Sequence, residues 1–356
     1  MDSTLTSSKQ FESIGYWFFP LAASFLTLVG VFFGPVWSLA PGVWLLIVVP
    51  FLDLLVKKLH QSDRPKSGTV SHTAALVALV CCIYLTFFCG LLQLSSSTYA
   101  FSDIVMFGVG FGIVSGTVGM TASHELIHRK DKKLYFMGSS HLVFCLYGHY
   151  RIEHIYGHHV NVGKPCDPAT ARLNENLYSF LVRCVSMTVA SAWSIEEERL
   201  RSKKLSLVSL HNRLIVDWLL QALLLITVTL IFGIDGIIML LINSLVAIFL
   251  LESVEYLEHY GLQRKKTKES KEIHRTFEPF NHSHAWTIRN KVAAWSSFNL
   301  GLHSDHHLNG NKQYPMLNSG KTKREMPFNY TLMLVMALIP PVWFYVMNQK
   351  LKRKTI

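Results

Sequence analysis

Nine of the 17 histidines in this 356-residue chain fall into four tight groups. The stretch TASHELIHRK holds His124 and His128 in a literal H-E-x-x-H. EHIYGHH supplies His154, His158 and His159, EYLEHYGL supplies His259, and LGLHSDHH supplies His303, His306 and His307. Imidazole ligates iron, copper, nickel and zinc alike. Residues four apart share a helix face and those three apart nearly do, so each multi-histidine motif should aim several rings at one point. One ion takes four to six donors. Nine converging rings therefore imply two metals.

H-E-x-x-H on a helix is also the mark of a zinc peptidase, whose glutamate acts as general base. Such a site needs two helical histidines, a third ligand and an open position for water. It has no use for seven further histidines in motifs of their own, so the peptidase reading is set aside. Carboxylates beside the ligands are instead expected to orient imidazoles through the free ring N–H. The candidates are Glu125, Glu153, Glu258 and, foremost, Asp305 inside HSDHH. Glu252 and Glu255 lie near the end of an apolar run and are not expected to face lipid. His149, His282 and His284 are candidates for a pocket wall or ring support. His60, His72, His141, His211 and His274 read as interfacial or surface residues.

The elements that must position these rings are membrane helices. Half of the residues are hydrophobic, only 16% are charged, and the mean hydropathy is +0.28, a balance unlike that of soluble domains. Runs long enough to cross about 30 Å of hydrocarbon lie near 16–33, 36–56, 73–94, 101–122, 214–233 and 236–257. The expectation is an all-α, polytopic single domain with six transmembrane helices. The cytoplasmic catalytic parts, 123–213 and 258–356, would form a histidine-rich di-metal region. Lys57, Lys58, Arg64 and Lys66 follow span two, Arg129, Lys130, Lys132 and Lys133 follow span four, and Arg264, Lys265 and Lys266 follow span six. The opposite connections (Gly34-Pro35, SSSTYA and GID) hold no Lys or Arg, so the positive-inside rule makes both termini cytoplasmic.

No cleavable leader is expected, because a polar, acidic segment precedes the first run and a second span follows at once. A seventh apolar run, Tyr330–Met347, contains Pro340-Pro341 and is expected to be broken there and to lie buried or at the interface. Gly108, Gly112 and Gly116 give span four a small-residue face for close helix approach. The six cysteines form no C-x-x-C, which excludes a zinc knuckle, a rubredoxin-type iron site and a redox dithiol. The net charge of +11 clusters beside apolar runs, which points to lipid headgroups and an acidic partner rather than nucleic acid.

With these motifs in view, the chain resembles the membrane-bound, non-haem di-iron alkane monooxygenase family, within the wider fatty-acid-desaturase-like superfamily. The resemblance runs through VPFLD at Val49–Asp53, HELIHRK, YGHYRIEHIYGHH, DPATAR at Asp167–Arg172, EEERLR at Glu196–Arg201, EYLEHYGL, HSDHH and ALIPPVW at Ala337–Trp343. Three residues separate the first histidine of the second motif from its pair, and the lone histidine sits in EHYGL. Both features set this family apart from the desaturases proper. Position by position, the resemblance implies the ligand set His124, His128, His154, His158, His159, His259, His303, His306 and His307. Where the family reads Leu-Gln-Arg before the last motif, this chain has Leu300-Gly301-Leu302. Where it reads His-Ser-Trp-Asn, this chain has His284-Ala285-Trp286-Thr287. Those departures bear on substrate preference and donor docking, not on the metal site.

The resemblance further implies two iron ions cycling between Fe2+ and Fe3+, O2 as co-substrate, and hydroxylation of a terminal methyl of an apolar hydrocarbon drawn from the bilayer. An alkane offers no polar handle, so it must be recognised by burial at roughly 0.8 kcal/mol per CH2. Electrons would come from a rubredoxin- or ferredoxin-like donor with its reductase, steered to Arg129, Lys130, Lys132, Lys133, Arg199, Arg201, Lys203 and Lys204. The expected location is a bacterial inner membrane, or the endoplasmic reticulum of a eukaryote, with which the basic ending KRKTI is compatible. Alternatives are an alkylaromatic side-chain hydroxylase like xylene monooxygenase, a desaturase, a decarboxylase and, from another class, a histidine-rich metal transporter.

Overall fold

The computed structural model describes residues 3–56, 70–267, 277–318 and 324–352, with 3–12 and 70 as backbone only. Lys57, Lys58, His60, Arg64, Lys66, His274 and, in the basic ending, Arg353 and Lys354 lie outside the described residues. Within them the chain is all-α, and the extended backbone pairs only at two isolated bridges, Lys266 with Phe277 and Thr287 with Glu325.

Five stretches are long and apolar enough to cross a membrane. They are α1 (Ser3–Phe33, apolar from Ser13), α2 (Pro35–Leu55), α3 (Val70–Ser96, apolar from Ser71), α4 (Phe101–Ile127) and α8 (Arg213–His259). Between α4 and α8 come α5 (Lys132–Phe144), α6 (a short helix over 150–161) and α7 (Leu177–Ser202). After α8 come α9 (Lys291–Ser296), α10 (His303–Leu308), α11 (Tyr330–Ala337) and α12 (Pro340–Lys352). Pro35, Pro41 and Pro50 punctuate α2, which changes from 3-10 to α to π and back to α. Proline has no N–H to give and its ring crowds the preceding turn, so winding is renegotiated at each one.

The length of α8, 47 residues, hides a turn. Gly233 takes φ 67°, ψ −159°, a backbone state open to glycine alone at little cost. A Cβ built on Gly236 lies 3.4 Å from Val228 Cγ1, although eight residues of straight helix would separate them by roughly 12 Å. The chain therefore doubles back. Adjacent residues read both legs at one level: Tyr150 bonds Glu255 at 2.8 Å, and Arg151 bonds Asp217 at 2.7 Å.

The second leg of α8 packs on the glycine face of α4. Cβ atoms built on Gly108, Gly112 and Gly116 would fall 2.7 Å from Ile242 Cβ, 2.6 Å from Val246 Cβ and 2.6 Å from Ala247 Cα. Only glycine admits that approach, and Ser115 Oγ meets Asn243 Oδ1 across the seam at 2.9 Å. The seventh apolar run breaks before Pro340, as α11 and α12. Met333, Ala337, Trp343 and Met347 are buried with Phe180, Tyr256 and Tyr260, while Leu332 and Val335 on the outer face are 40% and 48% exposed.

Two histidines expected at the surface are not there. His141 is fully buried, because α5 folds back against α4 and brings its Nε2 to 3.2 Å from Ser115 O. His72 is buried between Tyr16 and Tyr314, with ring centroids at 5.8 and 5.7 Å. His211 is exposed, as expected.

Candidate metal centre

The nine motif histidines meet at one end of the helices as two adjacent groups. His124, His128, His154, His159 and His306 offer nitrogens all within 4.8 Å of one another, and so do His158, His259, His303 and His307. The groups abut, with the rings of His159 and His307 centred 4.5 Å apart. The end of α4 carries His124 and His128, α6 carries His154, His158 and His159, the last residue of α8 is His259, and α10 carries the rest.

Local winding decides which ring serves which group. His303 and His307, four apart on α10, share a group with Nε2 atoms 2.8 Å apart, while His306 turns to the other. In the second motif that spacing rule fails. Residues 154–158 form a π turn, a wider winding that adds a residue to the turn. His154 therefore shares its group with His159, five residues on and 3.1 Å away by Nε2, while His158 faces His307 at 3.2 Å. The same feature recurs in α4, where Ser115–Gly119 winds as π just before His124.

Carboxylates stand behind one group. Asp167 holds the Nδ1 of His158 at 2.9 and 3.1 Å and is itself fixed by Thr170 Oγ1 at 2.5 Å. Glu258 lies 3.2 Å from the Nδ1 of His303. Glu255 reaches between the groups, 3.5 Å from His158, 3.6 Å from His259 and 3.9 Å from His154. Glu252, Glu255 and Glu258, three apart on α8, each accept a tyrosine hydroxyl: Tyr147 and Tyr150 at 2.8 Å, and Tyr330.

The remaining expected supports do something else. Glu125 binds Arg129 at 2.5 Å and the Tyr314 N–H at 3.1 Å, tying α4 to the 309–318 loop. Asp305 accepts from Lys312 at 2.6 Å and from the Asn318 N–H at 2.9 Å. Glu153 meets Ser191 at 3.2 Å. None of these three bonds a ring. His149 packs on Tyr147 with centroids at 4.4 Å, His282 reaches Ser304, and His284 pairs with Glu278. Arg129 and Arg199, expected on an open basic face, are instead held by Glu125 and Glu196.

The rings are built to be neutral donors. Burial holds His128 down at about 4, with Arg129 and His158 adding to the effect. Burial also holds His154, His159, His303, His306 and His307 well below the ordinary histidine range, and neighbouring rings add to it. His158 is the exception: burial opposes its charge, but Asp167 and Glu255 prevail and push it up to about 10. Neutral imidazole is the metal-binding form.

The residues fit two ions. Neighbouring Nε2 atoms stand 2.8–3.2 Å apart. A metal–nitrogen bond of about 2.0–2.1 Å places adjacent donors roughly 3 Å apart. His124 Nε2, His154 Nδ1 and Glu255 Oε2 are buried without a hydrogen-bond partner, an arrangement that costs free energy unless something binds there.

A cleft runs up to this site between α2, α4, the second leg of α8, α9 and α11. Leu45, Leu46, Val49, Val118, Leu250, Leu251 and Val254 line it, and His124, Tyr150, Glu255 and Glu258 close its inner end. Among the described residues that line it there is no Lys or Arg.

Comparison with known proteins agrees with this architecture. A family model described as fatty acid desaturase matches residues 102–336. Alkane 1-monooxygenase 2 of Alcanivorax borkumensis is 30% identical over 97% of this chain and 91% of its own length. Alkane 1-monooxygenase 1 of Pseudomonas aeruginosa is 36% identical over 68% of this chain and 63% of its own length. More distantly, the hydroxylase component XylM of a Pseudomonas putida xylene/toluene monooxygenase is 28% identical over 65% and 60%.

Proposed function

This chain belongs to the fatty acid desaturase family, in the group of the alkane 1-monooxygenases, and from that premise we propose that it is an integral membrane monooxygenase hydroxylating the terminal methyl of a medium- or long-chain alkane to a primary alcohol. The observation that carries the reading is a cation-free, apolar cleft ending at two contiguous histidine groups. The nine histidines would hold two irons, five donors on one and four on the other. Iron in that setting supplies reductive activation of O2, which puts one oxygen atom into the substrate and releases the other as water.

The chain's own residues bind, orient and exclude water. The leucines and valines of α2, α4 and α8 bury the hydrocarbon, each CH2 contributing roughly 0.8 kcal/mol, and displace water from the inner end. His124, on the cleft wall, brings the five-histidine group to the substrate's end. Asp167 fixes the ring of His158, as a carboxylate behind a ligating imidazole does. The carboxylates Asp53, Glu255 and Glu258 on the cleft wall, with no Lys or Arg among the described residues that line it, disfavour a fatty acid and hence a desaturase or decarboxylase. A transporter would hold its ion near mid-membrane on a broken helix, whereas these donors sit at helix ends.

Two legs of α8, folded back at Gly233, support six crossings with both termini cytoplasmic. A rubredoxin- or ferredoxin-like donor would approach that face. Lys130, Lys132, Lys133, Lys203 and Lys204 are exposed there, with Arg201 paired to Glu197.

The test is product identification with protein reconstituted in lipid and given a reduced donor, alongside metal analysis. Octane should yield 1-octanol, and iron should approach two per chain. Product from xylene but not octane would move the enzyme to the alkylaromatic side. No hydroxylated product from either substrate, with iron far from two, would end the proposal.

A further inference from the structure

One helix belongs both to the substrate cleft and to the metal site's support. The inner face of α11 lines the cleft with Asn329, Tyr330, Thr331 and Leu334, while Leu332 and Val335 on its other side are exposed. It is a wall one helix thick. Asn329 caps its start, accepting from the Leu332 N–H at 3.0 Å, and so sets the direction in which Tyr330 leaves the first turn.

The Tyr330 hydroxyl donates to Glu258 Oε1. The other oxygen, Oε2, lies 3.2 Å from the Nδ1 of His303; the contact is a close charge approach outside hydrogen-bond geometry, and both atoms are buried with no hydrogen-bond partner. His303 points its opposite nitrogen, Nε2, at the Nε2 atoms of His259 and His307, 3.0 and 2.8 Å away. Nε2 is thus the donor atom, and Nδ1 is the side of the ring that Glu258 faces. A carboxylate on that side sets ring tilt and ligand strength.

The Tyr150–Glu255 pair also reaches motif histidines, with Glu255 3.5, 3.6 and 3.9 Å from His158, His259 and His154, but its tyrosine is anchored differently. Tyr147 and Tyr150 come from the segment before and within α6, which the buried Arg151–Asp217 pair pins to the first leg of α8. Tyr150 also lines the cleft, at its inner end, whereas Tyr330 lines it from α11, the helix whose other side is exposed.

We propose that Tyr330 is a positioning residue that holds His303 through Glu258, so that a hydrocarbon packed against α11 is sensed at the four-histidine group. The inference rests on the two-metal hydroxylase reading and deepens it. With the cleft filled, α11 is supported from inside, and the Tyr330–Glu258–His303 chain is held in its ligating geometry. With the cleft empty, the wall is free to move and takes Glu258 with it.

The experiment compares wild type, Tyr330→Phe and Leu332→Ala, each iron-loaded, reduced and kept free of O2 so that nothing turns over. Tyr330→Phe keeps the ring and loses the hydroxyl, whereas Leu332→Ala alters only the outer face of the same helix. Two signals are read: the Mössbauer spectrum with and without saturating octane, and the rate at which a chelator withdraws iron. The wild type and Leu332→Ala should show an octane-dependent change in one of the two iron sites. Tyr330→Phe should lose that change and release one iron about 10–100-fold faster. If Tyr330→Phe keeps both the octane response and the wild-type release rate, Tyr330 has no such role. A wild type that holds two irons but ignores octane overturns the coupling and leaves the hydroxylase reading standing. A wild type without a pair of irons removes both.

Discussion

The five-histidine and four-histidine groups present the same donor atom and differ in what stands behind it. In the four-histidine group, Asp167 and Glu258 lie 2.9 and 3.2 Å from the Nδ1 atoms of His158 and His303, and Glu255 lies 3.5 and 3.6 Å from the Nε2 atoms of His158 and His259. Behind the five-histidine group the nearest such carboxylate is Glu255, 3.9 Å from His154. All four rings of the first are buried, whereas His128 and His159 of the second are only partly so. His124 of the second also reaches the cleft. Carboxylates orient imidazoles and raise their basicity, so one ion should be held firmly for structure and charge balance. The other would meet substrate and solvent and be held by nitrogen alone.

The largest test removes donors. His259→Ala or His303→Ala should empty the four-histidine position, leave about one iron per chain and lower turnover by more than about 100-fold. His124→Ala should do the reverse, sparing the carboxylate-backed iron. Equal loss of both irons in every variant would show that the groups act as one site. Next in size is Asp167→Asn, which keeps the shape of the side chain and weakens its hold on His158. Iron affinity should fall about 10–100-fold at that position alone, visible as a biphasic chelator titration.

At the cleft, Leu250→Trp should exclude the longest alkanes. Each carbon lost from contact weakens binding by about 0.8 kcal/mol, or about fourfold in KM. A chain-length profile left unchanged would place the substrate elsewhere. Smallest at the metals is Glu125→Gln. Because Glu125 holds Arg129 and the Tyr314 N–H rather than a ring, iron affinity should move less than about twofold. Breaking the buried pair should still cost about 3–5 kcal/mol of stability, read as a lower melting temperature.

The motifs make the nine histidines legible in the sequence, and the apolar runs do the same for the helices that carry them. The division into five and four is not, because it turns on winding. H-x-x-x-H-H on an α-helix pairs the first and fifth residues. The π turn at 154–158 pairs the first and sixth, and no residue type announces it. Carboxylates beside ligands mislead for a related reason. A neighbour in sequence is rotated about 100° around a helix, so Glu125 and Asp305 point away from the rings that His124 and His306 aim inward. Help comes from a distance instead: Asp167 from the loop after α6, and Glu255 one turn before His259. The DPATAR segment and the three-residue spacing of Glu252, Glu255 and Glu258 are the signals that mark them.

The glycine seam has a consequence for how this protein is made. Gly108, Gly112 and Gly116 enter the membrane long before Ile242, Val246 and Ala247 leave the ribosome, and chains fold from the N-terminus as they emerge. Throughout that interval α4 carries a bare groove that fits one later helix and must stay clear of every other. Metal capture waits on the same event, since His259 rides on the arriving leg and His303 follows it. On the proposed two-iron reading, assembly of the centre would be a late step of biogenesis, set by translation and insertion as much as by the supply of metal.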